Sequence, residues 1–148
     1  MLALACRQSR RTNAHGDVGR ALADNECERA LALLAAVDVP GRGSDWYLWS
    51  GQAHAQCYLS GQGEGEKRLA IEALDEGIRL YPRAAALTMW KGAVTMQFGE
   101  LALGRRYKAD ALRIARENLD QGIGNPRENF EVVEALSREQ QGKPPPTP

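Results

Sequence analysis

Apolar side chains recur along most of the chain at intervals of three and four residues, which is the spacing of one face of an α-helix. Capping residues, glycines and prolines separate these stripes. The pattern predicts seven helices, over residues 17–24, 25–37, 44–58, 66–80, 83–97, 100–123 and 126–141. No stretch alternates between apolar and polar residues for the length of a strand. The predicted fold is therefore all-α.

The same spacing predicts which side chains face the core. The expected inward residues are Cys27, Ala30, Leu34, Trp46, Trp49, Ala53, Cys57, Leu69, Ala70, Leu74, Gly77, Phe130, Val133 and either Leu136 or Ala135. The last helix has the clearest start, because Asn125 is followed by Pro126 and then by Glu128. This helix is expected to close the end of the fold.

Two segments of the chain are nearly identical. RLAIEALDEGI occupies residues 68–78, RIARENLDQGI occupies residues 113–123, and seven of the eleven positions are the same. Helix pairs that recur in this way, each too small to bury its own apolar face, are typical of stacked solenoids. The sequence thus predicts a helical repeat.

The segments around these repeats resemble the tetratricopeptide repeat. AIEALDEGIRLYP (70–82) is similar to its second helix, and WYLWSGQAHA (46–55) and LTMWKGAVTM (87–96) are similar to its first. The matching residues are Ala70, Leu74, Gly77 and Pro82 in the second helix, and Gly51 and Gly92 in the first. The resemblance spans about residues 17–126 and implies a divergent tetratricopeptide-like or Sel1-like solenoid of about three antiparallel hairpins with a C-terminal capping helix. A plain helical bundle is the alternative.

The spacing departs from that of the family. The usual repeat has about a dozen residues between the small residue of its first helix and that of its second. Here Gly51 and Ala70 are 19 residues apart, and Gly92 and Ala115 are 23 apart. The hairpins are therefore expected to be elongated.

In the tetratricopeptide family the first helices of successive repeats line a concave binding surface. The resemblance implies that the partner-binding residues here are Asp45, Leu48, Gln52, Ala55, Met89, Ala93 and Met96. Methionines beside small residues form a surface that adapts to the side chains of a partner. The alternative is that Met89 and Met96 fill the core between repeats.

Charge is unevenly distributed along a chain that is neutral overall. The 148 residues include 19 Lys and Arg against 19 Asp and Glu, so no global field favours nucleic acid. Residues 101–116 nevertheless carry five basic residues and only one acidic residue. The sixth helix thus has a basic patch, where an acidic partner protein would dock. The patch contains Arg105, Arg106, Lys108 and Arg113.

One helical domain is predicted at residues 17–141, between an N-terminal segment (1–16) and a proline-rich tail (142–148). MLALAC resembles the end of a bacterial lipoprotein signal, in which Cys6 would be acylated. No apolar run reaches the ~18–20 residues that span a bilayer, so Cys6 is the only expected membrane attachment. The alternative is an ordinary N-terminus.

Cys27 and Cys57 each lie 15 residues from the centre of the loop near residue 42, and both belong to inward faces. Antiparallel packing of the two helices would bring their α-carbons within disulfide distance. An oxidising periplasm would favour such a bond. The alternative is a pair of buried free thiols in a cytoplasmic protein.

No group of residues in the sequence predicts a reaction. No His, Cys, Asp and Glu residues have the spacing of a metal site. GQGEGEK (61–67) lacks the ending of a phosphate-binding loop. His54 beside Cys57 is interpreted as inert packing. We expect a non-catalytic protein without metal, cofactor or small-molecule substrate. It would bind another protein or peptide as an adaptor of the bacterial cell envelope, in the periplasm or anchored to the outer membrane. The alternative is an immunity protein that neutralises a secreted toxin or effector enzyme.

Overall fold

The computed structural model describes residues 16–142, which form helices joined by short loops. The described part of the first helix, α1, covers residues 16–23. The helices that follow are α2 (Cys27–Ala35), α3 (Ser44–Leu59), α4 (Glu64–Leu80), α5 (Ala85–Gln97), α6 (Leu101–Gln121) and α7 (Pro126–Gln140), with a 3₁₀ turn at Val39–Gly41. Residues 16–142 contain no strand, so the predicted all-α class is confirmed. Cys6 and residues 143–148 lie outside the described residues.

Local signals explain where the later helices begin and end. Gly63 has a φ of 103° just before α4, and Gly122 has a φ of 66° just after α6. Residues with a side chain rarely adopt such angles, so these glycines separate the helices. The start of α7 follows the predicted pattern, because the Asn125 side chain accepts a hydrogen bond from the backbone N–H of Arg127 at 3.0 Å.

The chain divides into two compact units, and the boundary lies between Ala73 and Leu74, inside α4. The first unit contains α1, α2, α3 and the N-terminal part of α4. The second unit contains the remainder of α4 with α5, α6 and α7. Each unit has its own buried apolar cluster.

Small and branched side chains from α1, α2 and α3 form the core of the first unit. Trp46 Nε1 donates a hydrogen bond to the carbonyl of Leu34 at 2.9 Å, which ties α3 to α2. Gln56 Nε2 donates to the carbonyl of Leu22 at 2.8 Å, which ties α3 to α1. The buried members of the cluster are Val18, Ala21, Ala30, Leu34 and Ala53.

A disulfide joins Cys27 of α2 to Cys57 of α3, with the two α-carbons 5.5 Å apart. Both cysteines are almost fully buried, at 4% and 0% exposure. Gln62 covers the bond from the α3–α4 loop, where its Nε2 lies 3.6 Å from Cys27 Sγ and 3.1 Å from Glu28 Oε1. The bond therefore closes the antiparallel α2–α3 pair inside the first unit.

α5 and α6 approach each other at two glycines of the second unit. A Cβ atom built at Gly92 would lie 2.7 Å from the carbonyl oxygen of Gly104, and one built at Gly104 would lie 2.7 Å from that of Gly92. The helices run antiparallel, because Gly92 also faces Lys108 while Gly104 also faces Met96. Only residues without a side chain allow the two backbones to come this close.

The remaining helices of the second unit pack around this pair. Lys91 of α5 reaches α4, where its Nζ lies 2.5 Å from Asp75 Oδ1, and it lies 4.3 Å from the centre of the Tyr107 ring of α6. α7 supplies two buried side chains to the shared core. The buried cluster is Ala85, Ala111, Leu112, Ile114, Ala115, Val132 and Leu136.

The expected inward face of α7 is correct at Leu136 and in part at Val133, which packs partly buried against the core, and it is wrong at Phe130. Phe130 is 61% exposed and Ala135 is also exposed, whereas Leu136 is buried. The buried residues of α7 are Asn129, Val132 and Leu136. Apolar spacing favoured Phe130 because Asn129 is polar, but hydrogen bonds hold the Asn129 side chain inside and turn Phe130 outward.

On α4 the expected face is largely correct. Ala70, Leu74 and Gly77 are buried, as predicted. Leu69 was expected to face inward, but it is 37% exposed. It precedes Ala70 by one residue, a rotation of about 100° around the helix, and therefore lies beside the buried stripe rather than on it.

Loss of the Cys27–Cys57 bond should lower the free energy of unfolding by about 3–4 kcal/mol, because the bond closes a loop with a sequence separation of 30 residues. Urea denaturation of oxidised and reduced protein measures this difference. Thiol titration of unreduced, denatured protein is the control. Two reactive thiols at Cys27 and Cys57 would contradict the disulfide.

Replacing Gly104 with alanine should lower the free energy of unfolding by about 1–3 kcal/mol, because the added methyl group overpacks the contact with α5. Gly65→Ala in α4 is the matched control, since a Cβ atom there meets nothing within 4 Å. The control should leave stability unchanged or raise it by about 0.5–1 kcal/mol. Equal urea midpoints for the two variants would show that the glycine contact does not govern stability.

Candidate protein-binding surface

Part of the surface of α5 is tightly buried, and a neighbouring strip is only half covered. Thr88, Gly92 and Thr95 are buried on the side that includes the contact with α6. The neighbouring strip is apolar and half-buried at helical spacing, and its last member, Met96, packs against Gly104 of α6 and so fills space between the helices. Its members are Ala86, Met89, Ala93 and Met96, of which the last three were predicted to bind a partner.

A buried pair of asparagines positions α7 beside this strip. Asn118 Nδ2 of α6 donates to the carbonyl of Arg83 at 2.8 Å and to Asn129 Oδ1 at 3.0 Å. Asn129 Nδ2 in turn donates to the carbonyls of Ile123 and Asn125 at 3.2 and 3.0 Å. These bonds join the segment before α5, the end of α6 and the first turn of α7.

α7 runs parallel to α5. Near its start, Asn129 accepts a hydrogen bond from Asn118 of α6, which also donates to the carbonyl of Arg83, two residues before the start of α5. Near its end, Glu139 accepts from Lys108, whose side chain lies against Gly92 in the middle of α5. The axes of α5 and α7 therefore point in the same direction, and the two helices are neighbours.

The half-covered faces of α5 and α7 meet over one apolar cluster. Ala86 and Met89 of α5 and Val133 of α7 all pack, partly buried, against the core of the second unit. Phe130 lies three residues before Val133 on the same side of α7. We call the following residues the α5–α7 surface: Ala86, Met89, Ala93, Phe130 and Val133.

The charged side chains on the outer side of α7 are paired with one another. Arg127 Nε lies 3.1 Å from Glu131 Oε1, and an Arg138 nitrogen lies 3.1 Å from Glu134 Oε1. Exposed pairs of this kind contribute little stability. Because these charges are paired, these polar residues of α7 near Phe130 carry no net charge. An apolar centre with a polar rim is the arrangement found at protein interfaces.

The predicted partner-binding residues of α3 belong to the first unit and differ in accessibility. Asp45 is exposed, and its carboxylate accepts a hydrogen bond from the backbone N–H of Trp46 at 3.0 Å. Leu48 and Gln52 are half-buried. Ala55 is only 1% exposed, so its assignment to a partner-binding surface is wrong. It lies four residues after the buried Gly51, on the opposite side of α3 from Ala53 and Cys57, so α3 is covered on more than one side.

The predicted basic patch separates into exposed arginines and a structural lysine. Arg105 and Arg106 are exposed. Lys108 instead forms an ion pair with Glu139 at 2.6 Å, and only 18% of its side chain is exposed. Its stem also fills the space above Gly92. Lys108 therefore holds α7 to α6 and is not available to a partner in the way that was expected.

Lys91 is a second half-buried lysine with a structural role. Burial disfavours its charged form, but hydrogen bonds to Asp75 and Tyr107 outweigh this effect and raise the pKa of Lys91 above its ordinary value. The ammonium group thus stays charged at neutral pH, where it bridges α4 and α6.

Other chemistry is sparse in the described part of the chain. Residues 16–142 contain no group of three or more His, Cys, Asp and Glu side chains that could hold a metal ion. Across the same residues, no helix combines the length and hydropathy needed to cross a bilayer. A polar cavity of about 330 Å³ opens at the start of α2, and it is lined by Asn25, Glu26, Cys27, Glu28, Arg29, Ser60 and Gln62. The sulfur of Cys27 is already bonded there, so the cavity offers no free thiol.

Comparisons with known proteins do not assign this chain to a family. No protein-family model, no curated protein and no solved structure matches the chain. The function must therefore be argued from the chemistry of the surfaces and from the internal repeat.

Replacing Asn118 with alanine should lower the free energy of unfolding by about 1–3 kcal/mol, because the Arg83 carbonyl and Asn129 Oδ1 would lose their buried donor. Gln121→Ala, at an exposed position on the same helix, should change it by less than about 0.5 kcal/mol. Chemical denaturation of both variants measures the difference. Similar values would show that the asparagine pair does not hold α7.

Proposed function

We propose that this protein is a divergent tetratricopeptide-like interaction module, whose α5–α7 surface binds a peptide or helix of another protein. In this interpretation α5 and α7 are the first helices of successive repeats and α6 is the second helix between them. The parallel direction of α5 and α7 supports the assignment, because first helices of neighbouring repeats lie side by side.

Counted from Gly92, Gly104 fits the spacing of small residues in a tetratricopeptide repeat better than Ala115 does. The tight approach of α5 to α6 takes place at Gly92 and Gly104. These two residues are separated by about a dozen positions, the usual distance between the small residues of a tetratricopeptide repeat. With Gly104 as the second small residue, this hairpin no longer needs to be elongated.

Phe130 is the observation that carries the proposal. It is a large aromatic side chain with 61% of its surface exposed. It lies one helical turn before Val133, which packs partly buried against the same core as Ala86 and Met89 of α5. Aromatic residues and methionine are enriched in protein interfaces, and methionine adapts to varied partners. An exposed aromatic anchor on α7, together with the half-buried Met89 of α5 and a neutral rim, fits a partner segment with an apolar face.

The proposed setting is the bacterial cell envelope. Support comes from the buried Cys27–Cys57 bond, since disulfides form and persist in oxidising compartments such as the periplasm. The lipid anchor at Cys6 stays a prediction. We propose no catalytic step, and the protein would act by holding its partner.

Phe130→Ala should weaken partner binding by about tenfold or more, as expected for a central aromatic anchor, while stability changes by less than about 1 kcal/mol. The partner would be recovered from native cells with the wild-type protein, identified by mass spectrometry and titrated by calorimetry. Leu101→Ala is the matched control, because Leu101 is an exposed apolar residue (51%) on α6 of the same unit.

Equal affinities for the wild type and both variants would refute the α5–α7 surface as the binding site. The titration also separates the two classes of function. Micromolar binding of short peptides fits an adaptor, whereas nanomolar or tighter binding of one folded enzyme fits an immunity protein.

A further inference from the structure

The exposed side of α6 carries four arginines around two alanines. All six residues are exposed, and at about 100° per residue they fall within one arc of roughly 100° around the helix. The buried residues Gly104, Ala111 and Ala115 lie on the opposite side. We call this set the arginine face of α6: Ala102, Arg105, Arg106, Ala109, Arg113 and Arg116.

Three of these arginines differ from the other arginines in the described part of the chain. Within residues 16–142, no carboxylate lies at ion-pair distance from Arg105, Arg106 or Arg116. Each remaining arginine in that range has a carboxylate or an aromatic ring nearby, mostly three or four residues away. Arg105, Arg106 and Arg116 thus lack the local partner that the other described arginines have, including Arg113 of the same face.

The surroundings of the face indicate the kind of ligand it fits. Asp120 falls within the same arc as the arginines, and Asp110 lies beside it on the exposed side of α6. Glu117 is shared by Arg83 and Arg113 at 3.1 and 3.0 Å. These carboxylates would repel a uniformly negative surface such as duplex DNA or an anionic bilayer. A protein segment can place separate carboxylates opposite the arginines and avoid the acidic positions.

We infer that the arginine face of α6 docks an acidic helical segment of a partner protein. Ala102 and Ala109 leave room for a helix to lie close along α6. Arg105 and Arg106 form one group of charges, and Arg113 and Arg116 form a second about 13 Å further along, at a rise of about 1.5 Å per residue. The segment would carry two glutamate or aspartate groups with the same separation.

This inference is independent of the α5–α7 surface, because it concerns the side of α6 that faces away from α5. The two surfaces can therefore be tested by separate variants. If only Phe130→Ala loses binding, the α5–α7 surface is the binding site. If only the arginine variants lose binding, the arginine face of α6 is the binding site.

The test uses the full chain and a synthetic alanine-based helical peptide with two pairs of glutamates at the separation of the arginine groups. Fluorescence anisotropy at low salt measures its affinity. Replacing Arg105 and Arg106 with glutamine should weaken binding by about tenfold, and added salt should weaken wild-type binding because exposed charges are screened.

The matched control replaces Arg127 and Arg138 of α7 with glutamine, which makes the same change in net charge at arginines that are already paired. It should retain wild-type affinity for the peptide. The same peptide with glutamine in place of glutamate should not bind. Circular dichroism verifies that both double variants keep their helices.

Three results would overturn the inference. The first is failure of the wild type to bind the acidic peptide, and the second is an equal loss of affinity in the α7 control and the α6 variant. The third is tighter binding to a short DNA duplex, or to vesicles of phosphatidylcholine and phosphatidylglycerol, than to the peptide.

Discussion

The contact between Gly92 and Gly104 sets the distance between α5 and α6, and the second unit is arranged around it. Each glycine lies against the carbonyl oxygen of the other, so neither position has room for a side chain. The stem of Lys108 passes over Gly92 and carries its ammonium group to Glu139 of α7. The same contact that joins α5 to α6 thereby determines where the end of α7 lies.

The start of α7 is held by a different kind of interaction. Asn118 and Asn129 are buried polar residues, and they are tolerated because each donates to groups that would otherwise lack a partner. With both ends held, the rotation of α7 about its axis is determined. Phe130 is then outside and Val132 inside, which leaves an exposed aromatic ring one helical turn from Val133.

Much of this arrangement could be predicted from the sequence, because it depends on local signals. Helical spacing predicted the all-α class, and Asn125 with Pro126 predicted the start of α7. Gly92 was matched to the small residue in the first helix of the tetratricopeptide repeat. Its partner was missed, since Ala115 belongs to the obvious repeated segment and Gly104 does not. A search for a glycine about a dozen residues after Gly92 would have found it.

The candidate surface was harder to predict, because it depends on tertiary contacts. Apolar spacing alone placed Phe130 inside, and no local signal shows that Asn129 finds partners on α6. The pairing of Lys108 with Glu139 likewise joins residues 31 positions apart. Ala55 was misassigned because a binding face inferred from a family resemblance does not account for how α3 is covered in this chain.

Amide hydrogen exchange of the protein with and without its purified partner tests the central claim most directly. If the α5–α7 surface is the binding site, partner binding should slow exchange in the segments that contain residues 85–97 and 126–137. Exchange in α2 should stay unchanged. Protection confined to other segments, with these two unaffected, would contradict the account.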